Sequence, residues 1–285
     1  MNRAEMRHEI VSRNPDVEVR FYLSVDEGSY VTPHWHESIE MVYVIEGKIT
    51  VGLENRRVVV KEDEFNIINS RTVHSVLGEK NRALVLQIPK EILKKYIPEI
   101  EDYTFEVNMH PETEVEKTRL EKIKKIFTDM QVIYDIRPEG YLLKFNSLLY
   151  DLLFTLIHSY STKVVQKNVN RDSQYLEQLN EIMTFLKENY RDKIKVGEIA
   201  EKFGYNEDYL ARFFKKRTGM TIMEYLYAYR VTKVCQDLIC TEKPINTILL
   251  ENGCSNHRVA MRVFKEFYGC TPKEKRKQLK EMNPK

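Results

Sequence analysis

The sequence predicts an α+β chain of two domains: an N-terminal antiparallel, jelly-roll-like β-barrel with a helical connector, and an all-α C-terminal domain. Three observations predict it. The chain has 285 residues, more than one compact core usually organises. Its apolar period changes from strand-like to helical near Thr113. A helical pattern then repeats itself within the last third of the chain.

From about Val17 to Ile88 the apolar residues fall in short β-branched or aromatic runs: Val42 to Ile45, Lys48 to Gly52, Arg57 to Lys61 and Ala83 to Gln87. Turn residues punctuate them at Glu46–Gly47, Glu54–Asn55 and Glu62–Asp63. Short strands at such close spacing pack as an antiparallel sandwich or barrel, here assigned to residues 1–105.

The connector, 106–165, carries two helical stripes. Leu120, Ile123, Ile126, Phe127, Met130 and Ile133 form the first. After a break at Pro138–Gly140, Leu142, Phe145, Leu148, Leu149, Leu152, Leu156 and Ile157 form the second. Such stripes suit a cover for the barrel or a homodimer interface, and both readings stay open. Ser161 to Ser173 is polar and aperiodic and is expected to be the domain linker.

Composition narrows the function classes. At 42% hydrophobic and 31% charged the chain reads as globular, not disordered. The longest apolar run, Leu148 to Ile157, is broken by Asp151 and too short to span a bilayer. The N-terminus shows no apolar signal region, so a cytoplasmic location without membrane partners is expected. Cys235, Cys240, Cys254 and Cys270 make no metal-type pair and read as free thiols. Net charge is only +2, but it is divided unevenly. From Arg171 onward, 22 basic residues face 16 acidic ones, so the rest of the chain is acidic. A basic module joined to an acidic one suggests that the former binds a polyanion.

The repeat carries the chemistry. Ile199, Gly204, Arg212, Phe214, Lys215 and Gly219 match Ile248, Gly253, Arg262, Phe264, Lys265 and Gly269. The offset is 49 residues at the first two pairs and 50 afterwards, so one residue slips inside the unit. Each unit reads as a short helix, a glycine turn and a second helix with one apolar and one basic side. Two helix-turn-helix units, separated by a helical spacer from Tyr225 to Ile239, can present second helices to successive major grooves of double-stranded DNA.

With Ile199–Ala200, Gly204–Tyr205, Tyr209–Leu210, Arg212 to Lys216, Thr218 to Met220, Tyr225, Arg230, Ile245, Gly253, Phe264–Lys265 and Gly269 to Pro272 in place, residues 179–277 resemble the DNA-binding domain of AraC/XylS regulators. The resemblance implies base contacts from Asp208, Ala211 and Arg212, and from His257, Arg258, Met261 and Arg262. It implies phosphate contacts from Asn206, Lys216 and Arg217, and RNA polymerase as a further partner. The second unit departs from the pattern. Cys254 stands where Phe is usual, Leu249 where Ala is usual, Ala260 where Phe is usual, and Lys275 where Tyr is frequent. A volume exchange between Leu249 and Ala260 would refill the core, leaving a folded but weaker second unit.

Gly28, His34, His36, Glu40 and Gly47 follow the spacing G-x5-H-x-H-x3-E-x6-G, which resembles the first motif of cupin barrels. A looser second motif runs through Asp63, Asn69, Arg71 and His74. Strand alternation sets His34 and His36 inward with Glu40 and His74, and Trp35 outward. The resemblance implies a divalent metal on these four residues; an effector pocket, for a sugar or other metabolite, and satisfied strand histidines are the alternatives. The combined expectation is a DNA-binding transcription regulator without catalysis of its own; the rival is a metal-dependent cupin enzyme with an appended helical domain.

Overall fold

The computed structural model describes residues 14–53, 56–164 and 169–282. Six antiparallel strands make the N-terminal domain: β1 (Arg20–Glu27), β2 (Tyr30–His34), β3 (Ile39–Leu53), β4 (Arg56–Lys61), β5 (Phe65–Ile68) and β6 (His74–Ile88). The long central strands β3 and β6 pair with each other along most of their length. One half of that ribbon gains β1 and β5; the other half gains β2 and β4. The ribbon therefore bends through two half-sheets. Val42, Val44, Ile68, Ala83 and Val85 from one meet Ile49, Val51, Leu53 and Val60 from the other in a single buried cluster.

The turn expected at Glu46–Gly47 is not a turn. β3 continues through it, with irregular register around Val44–Glu46 and Gly47–Ile49. Gly47 has φ +82°, and a side chain there would run into the Lys80 carbonyl. Extra residues in one strand produce a bulge, and a bulge bends a strand without ending it. The turn at Glu62–Asp63 is present, with Asp63 at φ +65°. The one expected at Glu54–Asn55 lies outside the described residues.

The connector helices are α2 (Glu114–Ile136) and α3 (Tyr141–Tyr160), following a short α1 (Lys90–Lys94). Their apolar stripes cover the outer face of the first half-sheet. Phe21 from β1 meets Phe127 and Phe145 edge to face, at centroid distances of 6.3 and 5.6 Å. Burying aromatic side chains of this size contributes roughly 1.5–3 kcal/mol each. Thr113 and Glu116 form a capping box at the start of α2.

The expected linker is more structured than its polarity suggests. Ser161–Lys163 forms β8 and pairs with β7 (Tyr103–Phe105), while Val169 already opens α4 (Val169–Glu188). Backbone pairing needs no apolar side chain, so periodicity gave no sign of it. Residues 165–168 lie outside the described residues.

The C-terminal domain continues with α5 (Val196–Phe203), α6 (Glu207–Thr218), α7 (Ile222–Cys240), α8 (Ile245–Glu251), α9 (His257–Tyr268) and α10 (Pro272–Met282). The spacer α7 buries eleven residues and belongs to both halves of the domain. One apolar cluster unites α4, α5, α6 and the start of α7; another unites the rest of α7 with α8 and α9. Among the described residues no helix is long and apolar enough to cross a membrane.

Candidate functional site

Both repeat units adopt the helix-turn-helix geometry. In the first, α5 ends at Gly204 (φ +71°) and Asn206 caps α6, its side-chain oxygen accepting from the Asp208 and Tyr209 amides. In the second, α8 leads to Gly253 (φ +72°) and Asn256 caps α9 by accepting from the Val259 amide. The slip in the repeat lies in the turn. Tyr205 alone separates glycine from cap in the first unit, whereas Cys254 and Ser255 do so in the second. Gly253 is required twice over: its φ is left-handed, and a side chain would collide with the carbonyls of Tyr190 and Arg191.

The second helix of each unit has two sides. On α6, Leu210, Phe213, Phe214 and Thr218 are buried, while Asp208, Ala211, Arg212 and Lys216 are exposed. On α9, Ala260, Val263 and Phe264 are buried, while His257, Arg258 and Arg262 are exposed. Three expected contact residues have intramolecular roles. Asn206 is the α6 cap, Met261 is half-buried against the second core, and the Arg217 guanidinium lies 4.9 Å from the centre of the Tyr175 ring. Arg230 is structural: it is buried and donates to the Tyr190 and Asp192 carbonyls, tying α7 to the loop before α5. Tyr209, exposed on α6 between Asp208 and Ala211, was missed as a contact candidate; its place on the helix was the available signal.

Cys254, Leu249 and Ala260 are all fully buried in the second core. Ala200 and Leu210, the counterparts of Leu249 and Ala260, are buried in the first. The small–large pair of one unit thus becomes a large–small pair in the other.

In the N-terminal β domain, His34, His36 and His74 come together, with one ring nitrogen of each within 4.8 Å of the others. β2 and β6 place the first and last directly opposite each other. The three rings share a pattern: each Nδ1 faces a backbone carbonyl, of Thr32, Ser38 and Thr72 respectively, at 2.8–3.0 Å. If each Nδ1 carries the proton, each Nε2 presents a lone pair, which is the tautomer of a metal-ligating imidazole. His74 Nε2 is buried and has no hydrogen-bond partner. Burial holds its pKa below the ordinary histidine value, with Glu40 opposing and His36 adding to the effect.

Glu40 sits beside this trio and outside it. Its carboxylate lies 3.1 Å from His36 Nε2 and accepts from the Gln87 amide at 2.6 Å. Burial pushes its pKa up, but the His36 hydrogen bond, the neighbouring His74 and His36 charges and Gln87 outweigh that and bring it to about 2. His36 therefore faces acceptors at both nitrogens, so a proton or a cation belongs between Nε2 and the carboxylate. The donor set fits a divalent metal held by three imidazoles. Sequence reasoning missed Gln87, because an amide inside an apolar strand carries no motif.

Comparison with known proteins fits both halves. Residues 21–88 match a family model described as a cupin domain, and residues 199–278 match one described as a helix-turn-helix domain. The Transposon Tn10 TetD protein of Escherichia coli is 31% identical over 94 residues, 33% of this chain and 68% of that protein. The chain belongs to the AraC family. An uncharacterized HTH-type transcriptional regulator of Staphylococcus aureus (strain COL) is 22% identical over 239 residues, 84% of this chain and 31% of that protein. The chain thus spans about a third of the length of that longer relative. A solved structure of ToxT from Vibrio cholerae is 14% identical, covers 90% of this chain and 97% of that one, and superposes with a TM-score of 0.44.

Proposed function

We propose that the chain is a transcription regulator that binds double-stranded DNA through α6 and α9 and senses a small-molecule effector in its barrel. One observation carries this reading: two capped helices, in repeated units on one spacer, each expose basic residues opposite a buried apolar side. Arg212 and Arg262 read guanines, Arg258 and Lys216 hold backbone phosphates or bases nearby, and His257, Asp208, Ala211 and Met261 shape the neighbouring contacts. Regulation without catalysis follows from this reading, and RNA polymerase is the partner through which it would act.

The experiment is selection of bound fragments from genomic DNA, followed by footprinting with the full chain. Two adjacent protected half-sites are expected. Arg212→Ala should relax one half-site and Arg262→Ala the other, each costing about 1–3 kcal/mol of binding. Fragments recovered without any shared sequence would overturn the reading.

A divalent metal is one occupant that the barrel suits. His34, His36 and His74 would hold it, with Glu40 completing or buttressing the set, and it would supply a Lewis-acidic anchor for an anionic or hydroxylated effector. The buried, unpartnered His74 Nε2 favours this. Stoichiometric zinc or nickel surviving dialysis, and its loss in His34→Ala, is the expected result; no retained metal in the wild type sinks it.

Dimerisation is proposed through the outer side of the connector. Leu143, Tyr150 and Phe154 are exposed on α3, spaced seven and four residues apart, with Ser147 between them. This is the spacing of a coiled-coil seam. Sedimentation should give a dimer, and Leu143→Glu with Phe154→Glu a monomer; a wild-type monomer at tens of micromolar would refute it.

A further inference from the structure

We propose that β2 is a two-sided lever: its inner side carries the histidine site and its outer side grips the DNA-binding domain, so the site's occupancy sets how that domain is held. The inference deepens the sensor reading above and rests on it. Two segments of the barrel's edge, Glu27 to His36 and Val73, meet the C-terminal domain. The Tyr30 ring stacks on Phe267 of α9 at 3.9 Å, and its hydroxyl reaches the Met220 sulfur at 3.4 Å. Thr32 and Tyr30 lie beside the Tyr225 hydroxyl of α7. Trp35 and Val73 belong to the same buried cluster as Leu179, Leu210 and Tyr225, although they come from the other domain. Lys275 of α10, only 6% exposed, donates to the carbonyls of Glu27 and Gly28 at 3.1 and 3.2 Å.

The lever works because of a defect in β2. Val31 pairs with Val76 and His34 with His74, so β2 holds one residue more than β6 between these rungs. The bulge reverses the phase of alternation. Before it, Tyr30 and Thr32 face the DNA-binding domain; after it, Trp35 does, leaving His34 and His36 on the inside. β2 therefore carries His34 on one side and Tyr30 and Thr32 on the other, and the two residues that follow it, Trp35 and His36, continue the outer and inner sides. Lys275 adds an independent sign, since this is the position where a tyrosine is frequent in the resemblance, and here its ammonium is spent on barrel carbonyls.

The docked arrangement leaves Arg212, Arg258 and Arg262 exposed, so the contact does not work by covering them. It fixes the first unit at Met220 and Tyr225 and the second at Phe267 and Lys275. A shift of β2 changes the setting of the two units relative to the barrel, and coupling of this kind is reciprocal.

The test perturbs the inside and reads the outside. Hydrogen exchange is measured in the full chain for amides of Tyr225 to Arg230 and Phe264 to Gly269. His74→Ala and the size-conserving His34→Gln alter the site without touching the interface. Leu152→Ala, in the connector core, controls for general loosening of the N-terminal domain. Exchange at those amides should change at least fivefold in one or both histidine variants and stay within twofold in Leu152→Ala. No change in either histidine variant, or an equal change in all three, overturns the proposal. DNA affinity of the same variants is measured in parallel. A chain that binds no DNA would defeat the regulator reading, while the exchange result would still decide the lever.

Discussion

Exchanging Leu249 and Ala260 asks whether the second helix-turn-helix unit is a rearranged version of the first. Both residues have 0% exposure in the second core, and Ala200 and Leu210, at 3% and 0%, occupy the matching places in the first. Leu249→Ala alone removes a buried isobutyl group and should cost about 2–5 kcal/mol, the cost of lost burial plus an unfilled cavity. Ala260→Leu alone inserts the same group into a filled space and should cost about 1–3 kcal/mol through overpacking. The double variant carries the same atoms as the wild type in the arrangement of the first unit. It should lie within about 1.5 kcal/mol of the wild type, as volume-conserving exchanges usually do. The two single effects then fail to add by about 1.5–8 kcal/mol, at or above the roughly 0.5–3 kcal/mol usual for positions in contact. Native-state hydrogen exchange in α9 is the assay, because it reads local opening in a chain whose two domains need not unfold together. A double variant that costs the sum of the singles would show that the positions do not share volume, and the exchange argument would fall.

Other outcomes follow from burial and capping. Cys240 is exposed and Cys270 half-buried, whereas Cys235 and Cys254 are buried; a thiol reagent should modify the first two in the native chain and the others only after unfolding. Burial also pushes the Cys254 pKa to about 11, so its thiolate is scarce at neutral pH, and rapid native labelling there would contradict the packing. Burial lowers the pKa of Lys187, 8% exposed, to about 7. Between pH 7 and about 10.5 the unfolded chain binds the extra proton, so this lysine makes stability rise with pH over that window. Lys187→Met should raise the melting temperature at pH 6 and flatten the rise; an unchanged pH profile would contradict it. Asn206→Ala and Asn256→Ala should each cost about 1 kcal/mol by removing an N-cap, and the loss should appear as faster exchange in the first turn of α6 or α9 respectively.

Much of this molecule was legible because its signals are local. The repeated glycines need left-handed backbone, and the apolar residues around them recur at helical spacing, so α5 to α9 could be placed from sequence. The spacing of His34, His36, Glu40 and His74 likewise announced a shared neighbourhood. What stayed hidden depends on residues far apart in the chain. β3 looked like two strands because Gly47 mimics a turn, and only pairing with Lys80 and Asn81 turns it into a bulge. Gln87 reaches Glu40 across the sheet, which no spacing encodes. Ser161 to Lys163 is a strand by backbone pairing with Tyr103 to Phe105 alone. The grip of Glu27 to Trp35 on the C-terminal domain joins residues up to 248 apart in sequence, and a bulge in β2 inverts the alternation that would have guided the reading.

The central claim is that α6 and α9 together bind duplex DNA, and the salt dependence of that binding tests it most directly. Fluorescence anisotropy with the footprinted site, from 50 to 300 mM salt, should give log K falling linearly with log salt concentration, at about −0.9 per phosphate neutralised. Lys216→Ala should reduce the slope by about one and weaken all sequences alike, whereas Arg212→Ala should lower affinity chiefly for the correct sequence. Binding that is insensitive to salt, or equally affected by both substitutions on specific and random duplexes, would contradict the account.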